Sequence, residues 1–542
     1  MADNVAKQLI AALHPANHST DAQQPESDLR TKIAATLKQW NDSLENDLLR
    51  ADPRTKSLGY DSSVSSPLLK EAANALHFSL VSTVDPSLCC EDGWTTDSEA
   101  GEASRRAANA VSESLLLNSH NLQYFSLLVE LLRAAGLFMR WHGQVLQSPL
   151  LLSQPDLLNN PTVRFKSDGM LLMCSKLIEN DIFAGNNFPD VPRFASIYLF
   201  RATYGNDSLT MTTRTLFVES MDGCSCLMKA LLKGDQPLSR LFSVVRNIHH
   251  LVSSYPSSIT KMDRAIDVLM TDTSLEHEAK QDLLQVLVAT LAWAFRSEPI
   301  FPGDSSDRRS ELMLEILRAL FAMDVGLSTK AQNYQDNMTQ LGIILCDLLK
   351  LSNSDARVYQ CKLAVVALLL NAPKEYAQYL AIHGGIKPLV DIMEYQLSLV
   401  VVERTASGAE DAAAVVPILL VLKKLAQASS LVLKIVKDEV FPPDAEGMFQ
   451  EKVKAEMIKN QTDGQVKAKN MAPLDAPKST LRWKLIRLMT WTESTVKRSG
   501  SELLWTLCDD DPTKFVLRTG FGNAIHFLGM KGCVTLPNGI DI

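Results

Sequence analysis

The stretch Thr480-Leu-Arg-Trp-Lys-Leu-Ile-Arg-Leu-Met-Thr490, followed by Glu502-Leu-Leu-Trp-Thr-Leu-Cys508 and Asp511-Pro-Thr-Lys-Phe-Val-Leu-Arg-Thr-Gly520, reads as two amphipathic helices and a short third. Leu481, Leu485 and Leu488 recur at helical spacing, as do Val496, Leu503, Leu504 and Leu507, so each run carries one apolar stripe that belongs to a core. Asp511-Pro512 opens the third helix and Gly520 stops it. No nucleophile, base or metal constellation accompanies the segment. The pattern predicts an interaction module built of stacked helices.

Working outward, the same periodicity recurs almost without interruption. Leu116 with Tyr124 to Leu132, Leu283 to Leu291 and Leu312 to Leu320 each mark an apolar helix face, and no segment alternates with period two. Polar breaks fall at His14 to Asp28, Glu91 to Glu102, Phe301 to Asp307, Ser407 to Asp411 and Asn460 to Lys478. Roughly twenty helices in units of about 40–47 residues give roughly nine repeats. The expected fold is therefore all-α, an armadillo/HEAT-type right-handed α-solenoid. It is expected to run as a single superhelix over residues 1–542, with a flexible loop at 460–478 and terminal repeats at 479–534. Phe217 to Gly223 and Tyr379 to Gly385 look alike: each ends a helix at glycine, whose left-handed freedom closes the helix, and starts the next after a tight turn.

A chain of 542 residues exceeds one compact core, and 46% hydrophobic with 6% aromatic content suits helix interiors. Fifty-four basic against 62 acidic residues leave a charge of −8, which argues against a nucleic-acid binder because phosphate neutralisation needs a basic field. The nine cysteines are odd in number and scattered through apolar stretches, as expected of reduced core thiols. Ala412 to Leu422 and Val286 to Phe295, taken as the longest apolar runs, fall short of the ~20 residues that span a bilayer. The expectation is a soluble, cytoplasmic monomer without direct membrane insertion.

Motifs for chemistry fail one by one. His277-Glu278 has Gln281 where a second zinc ligand of a helical protease motif must fall. His249-His250 lacks a cysteine or carboxylate at ligand spacing, and Gly520-Phe-Gly522 follows a helix and lacks the third glycine of a dinucleotide fingerprint. No P-loop occurs. Hence no catalytic residue, metal or cofactor is assigned, and the chain is expected not to be an enzyme with covalent chemistry.

Two groups of residues are candidates for binding a partner. Arg482, Lys484, Arg487, Lys497 and Arg498, with Lys478, set six cations against Glu493, either a solvated helix face or a docking surface for an acidic partner. Three further helices carry Arg or Asn where a helical stack turns to its groove: Arg105, Arg106 and Asn109; Arg201 and Thr203; Arg246 and Asn247. Asn offers a donor and an acceptor to a bound backbone, and Arg pairs with carboxylates, including a chain terminus. The alternative for each triplet is ordinary helix surface. Thr95-Thr-Asp-Ser-Glu99 reads as a plain loop in an acidic context.

The chain resembles the synembryn family most densely from Val415 to Val534. The family's Val-x-Pro-[Ile/Val]-Leu-x-Val-Leu helix is matched by Val415 to Leu422, and its Val-[Leu/Phe]-Pro-Pro element by Val440 to Pro443. Its Arg-x-Lys-Leu-[Val/Ile]-Arg-Leu-Met-Thr helix is matched by Arg482 to Thr490, followed by Val496-Lys-Arg498, Glu502 to Cys508 and Arg518 to Ala524. Asn109, Thr203 and Asn247 fall collinearly upstream, and the tryptophan-bearing variants look like a fungal-type member. The resemblance implies a guanine nucleotide exchange factor and folding chaperone for heterotrimeric G-protein α subunits. It implies a groove that holds the C-terminal helix of a GDP-bound or nucleotide-free α subunit, with recruitment to the plasma membrane through that partner. Animal members continue into an acidic, phosphorylated tail, whose regulation is not carried over. The alternative is a non-catalytic armadillo scaffold that shares the fold alone.

Overall fold

The computed structural model describes residues 2–13, 26–50, 66–90, 96–146, 162–186, 188–233, 237–271, 281–296, 309–323, 334–352, 356–402, 412–443 and 479–533. Among these residues there are helices and turns and no strand. The polar breaks at 14–25, 301–307 and 407–411, His277-Glu278 and the 460–478 segment lie outside the described residues. Packing divides the chain into two compact units, 1–286 with 302–319, and 287–301 with 320–542, where the sequence suggests one continuous stack.

The first unit begins with α1 (Ala2–Leu13), α2 (Glu26–Arg50), α3 (Ser66–Val84), α4 (Asp97–Leu117) and α5 (Leu122–Leu146). It continues through α6 (Asp168–Glu179), α7 (Asp190–Thr203), α8 (Ser208–Thr215), α9 (Gly223–Leu232), α10 (Leu238–Ser254) and α11 (Ser257–Thr271). These helices form two rows. In one, α2 packs on α5, α5 on α7 and α7 on α10; in the other, α1 packs on α3, α3 on α4, α4 on α6, α6 on α9 and α9 on α11. Cross-row packing of α3 on α5, α6 on α7 and α9 on α10 closes the core between them. This two-row stacking of sequential helices is the solenoid arrangement the periodicity predicts.

The apolar stripes account for the rows. Leu127, Leu128, Leu131, Ala135 and Phe138 of α5, and Val191, Ala195, Tyr198, Leu199 and Ala202 of α7, are buried at three- and four-residue spacing. Each buried aliphatic or aromatic side chain is worth about 1.5–3 kcal/mol relative to exposure. One reading needs correcting. Leu122–Arg140 within α5 is long and apolar enough to cross a membrane by length and composition, so the longest apolar run is here. Its window is 67% buried among neighbouring helices, which is how a core helix uses such a face.

Local signals at helix ends are mostly legible. Thr96, read as a loop residue, is the N-cap of α4: Glu99 N donates to Thr96 Oγ1 at 3.2 Å and Thr96 N to Glu99 Oε2 at 3.0 Å, a capping box. Before α9 the left-handed residue is Asp222 (φ 52°), not glycine. Gly223 is required for a different reason, since a Cβ there would lie 2.4 Å from the Phe217 ring. At the second turn Gly384 (φ 72°) does take the left-handed conformation.

The second unit contains α14 (Tyr334–Lys350), α15 (Ala356–Asn371), α16 (Glu375–Ile382), α17 (Ile386–Leu397), α18 (Val416–Ala428) and α19 (Ser430–Val440). It closes with α20 (Leu481–Leu488), α21 (Ser494–Leu507), α22 (Pro512–Thr519) and α23 (Phe521–Met530). The quoted signature folds as read. Asp511 caps α22 by accepting from Thr513 N and Lys514 N, and Gly520 (φ 85°) ends it. Helices α12 (Leu283–Arg296) and α13 (Arg309–Ala322) complete the set.

Gly169 marks the tightest crossing in the first unit, because a Cβ there would sit 2.5 Å from Arg105 N and 2.6 Å from Ser104 Cβ of α4. Gly169→Ala is therefore expected to destabilise by about 1–3 kcal/mol. Gly101→Ala, which meets nothing within 4 Å on the same helix, should leave Tm unchanged or raised. Differential scanning fluorimetry of the two variants distinguishes a crossing constraint from generic loss of glycine.

Candidate functional site

The row α2, α5, α7 and α10 presents a pocket of about 530 Å³ on its face. Its charged lining comprises Arg133 and Arg140 from α5, Arg193 and Arg201 from α7, Arg246 from α10, and the carboxylates Glu45, Glu130 and Asp190. Five positive groups, set against these three carboxylates and Asp42 beside Arg133, leave an excess of one positive charge.

The acidic groups are already engaged. Arg133 Nη2 lies 2.7 Å from Asp42 and 2.5 Å from Glu45, Arg133 Nη1 lies 3.7 Å from Glu130, and Arg193 pairs with Asp190 at 3.0 Å. Among the described residues no carboxylate comes within ion-pair distance of Arg140, Arg201 or Arg246. Burial, reinforced by the charges of Arg140 and Arg246, pushes the Arg201 guanidinium down to about 9. Burial and the Arg246 charge also lower Arg140. Bringing these cations together without carboxylate partners is electrostatically unfavourable.

Aromatic packing orients the cations. Phe200 carries Arg246 at 4.5 Å and Arg201 at 5.3 Å from its ring centre, and it stacks on Tyr204 at 4.9 Å. Such cation–π contacts are worth about 0.5–1 kcal/mol each at exposed sites and more when desolvated. They hold two guanidinium planes without consuming their N–H donors.

The groove candidates separate into three kinds. Arg201 and Arg246 line the pocket. Thr203 and Asn247 are buried and bonded internally, which corrects their assignment as partner contacts. The Thr203 carbonyl accepts from Arg214 Nε and Nη2 and bonds His250 Nε2, closing the end of α7 with a cation. Asn247 Nδ2 bonds the Ser196 carbonyl and hydroxyl at 2.8 and 2.9 Å, tying α10 to α7 and so setting Arg246 beside Arg201. Arg105, Arg106 and Asn109 are exposed on α4, in the other row. Arg105 pairs with Asp168 and Glu102, Arg106 reaches Ser87 Oγ at 3.4 Å, and Asn109 accepts from Lys176. Arg140 and the Phe200 platform were missed by the sequence reading; no motif flags them, because their juxtaposition is between helices.

The C-terminal basic helices also need correction. Lys484 is buried, bonding Glu394 at 3.2 Å and Ser398 at 2.9 Å, and Arg482 donates to the Arg518 carbonyl. Arg482 and Arg518 both lie against the Phe441 ring. These cations build the unit. Arg487 and Arg498 are exposed and Lys497 half-buried; Arg487 lies over Trp483 and Arg498 pairs with Glu502. His249 and His250 do not converge: His249 Nδ1 is 2.7 Å from Glu315, whereas His250 faces Thr203.

A scaffold of stacked helix pairs, carrying a pocket lined by five arginines, places the chain in the class of helical-repeat proteins. Comparison with known proteins narrows the class. Residues 208–539 match the model of the family described as guanine nucleotide exchange factor synembryn, more than half of the 542 residues, and the chain belongs to that family. It is 25% identical over 297 residues to Chaperone Ric-8A of Bos taurus, covering 52% of this chain and 51% of that one. Chaperone Ric-8A of Xenopus laevis is 26% identical over 233 residues, 41% of this chain and 39% of that one, and that of Gallus gallus 38% over 81 residues, 14% and 15%. The chain spans about half the length, or less, of these curated relatives.

Two outcomes follow. Removing one unpaired cation relieves repulsion, so Arg201→Gln or Arg246→Gln should leave Tm unchanged or raise it by a degree or two, checked by scanning fluorimetry. Burial, opposed by the bond to the Thr203 carbonyl, lowers His250 from 6.5 to about 4. Its folded-state pKa is depressed, so its contribution is present above pH 6.5 and is lost as pH falls toward 4. His250→Gln should flatten the decline of Tm between pH 6.5 and 4 relative to wild type.

Proposed function

We propose that this chain is a guanine nucleotide exchange factor and folding chaperone for heterotrimeric G-protein α subunits. The observation that carries the reading is the match to the synembryn exchange-factor family over residues 208–539. The relatives named Chaperone Ric-8A support the folding role. Such a protein needs no acid, base or metal. It accelerates nucleotide release by binding the nucleotide-free α subunit more tightly than the nucleotide-bound form, and linkage makes the effect reciprocal, so nucleotide weakens the complex.

The site proposed for this capture is the pocket on the α2–α5–α7–α10 row. An acidic group at the end of the partner's C-terminal helix would supply the carboxylate that Arg140, Arg201 and Arg246 lack among the described residues, and Phe200 would hold the planar guanidiniums of Arg201 and Arg246 in position for bidentate pairing. Withdrawing that helix loosens the part of the partner that holds the nucleotide. Holding the same helix also shields a partner whose core is incomplete without nucleotide. The protein acts as a monomer in the cytoplasm and reaches the plasma membrane through its partner.

GDP release from a purified α subunit should quicken on adding the protein, and the complex should dissociate on adding a non-hydrolysable GTP analogue. Arg201→Glu with Arg246→Glu should weaken the complex by roughly tenfold or more while Tm stays near that of wild type. Unchanged GDP release together with unchanged folding yield of the α subunit would leave a scaffold role instead.

A further inference from the structure

Three guanidiniums from three successive helices of one row share a pocket, and every carboxylate lining that pocket is engaged by Arg133 or Arg193. Arg140, Arg201 and Arg246 each present a forked set of N–H donors that no lining carboxylate pairs with among the described residues. A carboxylate offers two acceptor atoms, fewer than three forked donors can use. A volume of about 530 Å³ leaves room beyond a single small oxyanion and falls within the ordinary range of small-molecule sites. Phe194 and Phe242 flank the cations with apolar surface.

We propose that the Arg140–Arg201–Arg246 pocket binds a diphosphate group, a multivalent oxyanion whose charge and acceptor oxygens match three forked cations. Arg201 and Arg246 both lie against the Phe200 ring, which fixes where their guanidiniums sit before the ligand arrives. Asn247, through Ser196, is a positioning residue that keeps α10 in register with α7. Arg140, Arg201 and Arg246 all lie in the first unit. A bound diphosphate would occupy the cations assigned above to the partner, and it would act as a competitor; this last consequence rests on the proposed function, whereas the binding itself does not.

The test uses the full chain in magnesium-free buffer at fixed ionic strength, titrated with pyrophosphate, GDP, sulfate or chloride and followed by calorimetry and thermal shift. Pyrophosphate is expected to bind saturably and to raise Tm, with chloride at matched ionic strength inert. Arg201→Gln and Arg246→Gln should each weaken it at least tenfold, and Arg487→Gln, outside the pocket, should not. Arg201→Lys, which keeps the charge without the fork, should fall between wild type and Arg201→Gln. GDP binding tighter than pyrophosphate assigns the diphosphate to a nucleotide, and equal binding assigns it to a free anion. Pyrophosphate no better than chloride, or glutamine variants that fold and bind as wild type, overturns the site. If pyrophosphate binds but leaves the α-subunit complex intact, the diphosphate site stands and the shared-site reading falls.

Discussion

The tie between α7 and α10 is the interaction on which the site depends. Asn247 spends its amide donors on the Ser196 carbonyl and hydroxyl, and Phe200 lies under the guanidinium of Arg246 one turn away. Within this row α5 and α7 each pack on two neighbours, and α5, α7 and α10 also pack on the second row. Core contacts therefore consume most of each circumference, and the stripe left over on successive helices falls on one side of the row. Charge placed on that stripe is concentrated into a pocket.

That concentration costs stability. Arg140, Arg201 and Arg246 are partly buried and lack carboxylate partners among the described residues; burial lowers Arg201 and Arg140, and the charge of Arg246 adds to both. Elsewhere the same unit gives its buried cations direct partners: Arg164 pairs with Asp97, Arg214 donates to the Thr203 and Gly205 carbonyls, and Arg240 donates to the Ile178 carbonyl. The contrast supports the proposed role of the pocket in binding an anionic group.

The second unit uses its cations differently. Lys484 reaches Glu394 and Ser398, Lys423 pairs with Glu502, and Lys424 donates to the carbonyls of Leu370 and Ala372 at the end of α15. The long aliphatic stems are buried while the charged heads satisfy carboxylates and helix-terminal carbonyls. A basic motif in the sequence is thus a structural fastening at Lys484 and Arg482, and exposed surface at Arg487 and Arg498.

Sequence alone determined the helical class, the stripes that become cores and the ends of the C-terminal helices, because these rest on local spacing: Leu481 to Leu488 mark one face, and Asp511 and Gly520 bound α22. It also placed Arg201 and Arg246 among the binding candidates. It did not separate them from Thr203 and Asn247, since one residue along a helix turns a side chain by about 100° from pocket to core. Arg140 was invisible for the same physical reason: the meaning of its charge depends on Arg201 and Arg246, tens of residues away. Only the packing of α5, α7 and α10 decided that three separate cations would face one cavity whose lining carboxylates pair with other arginines.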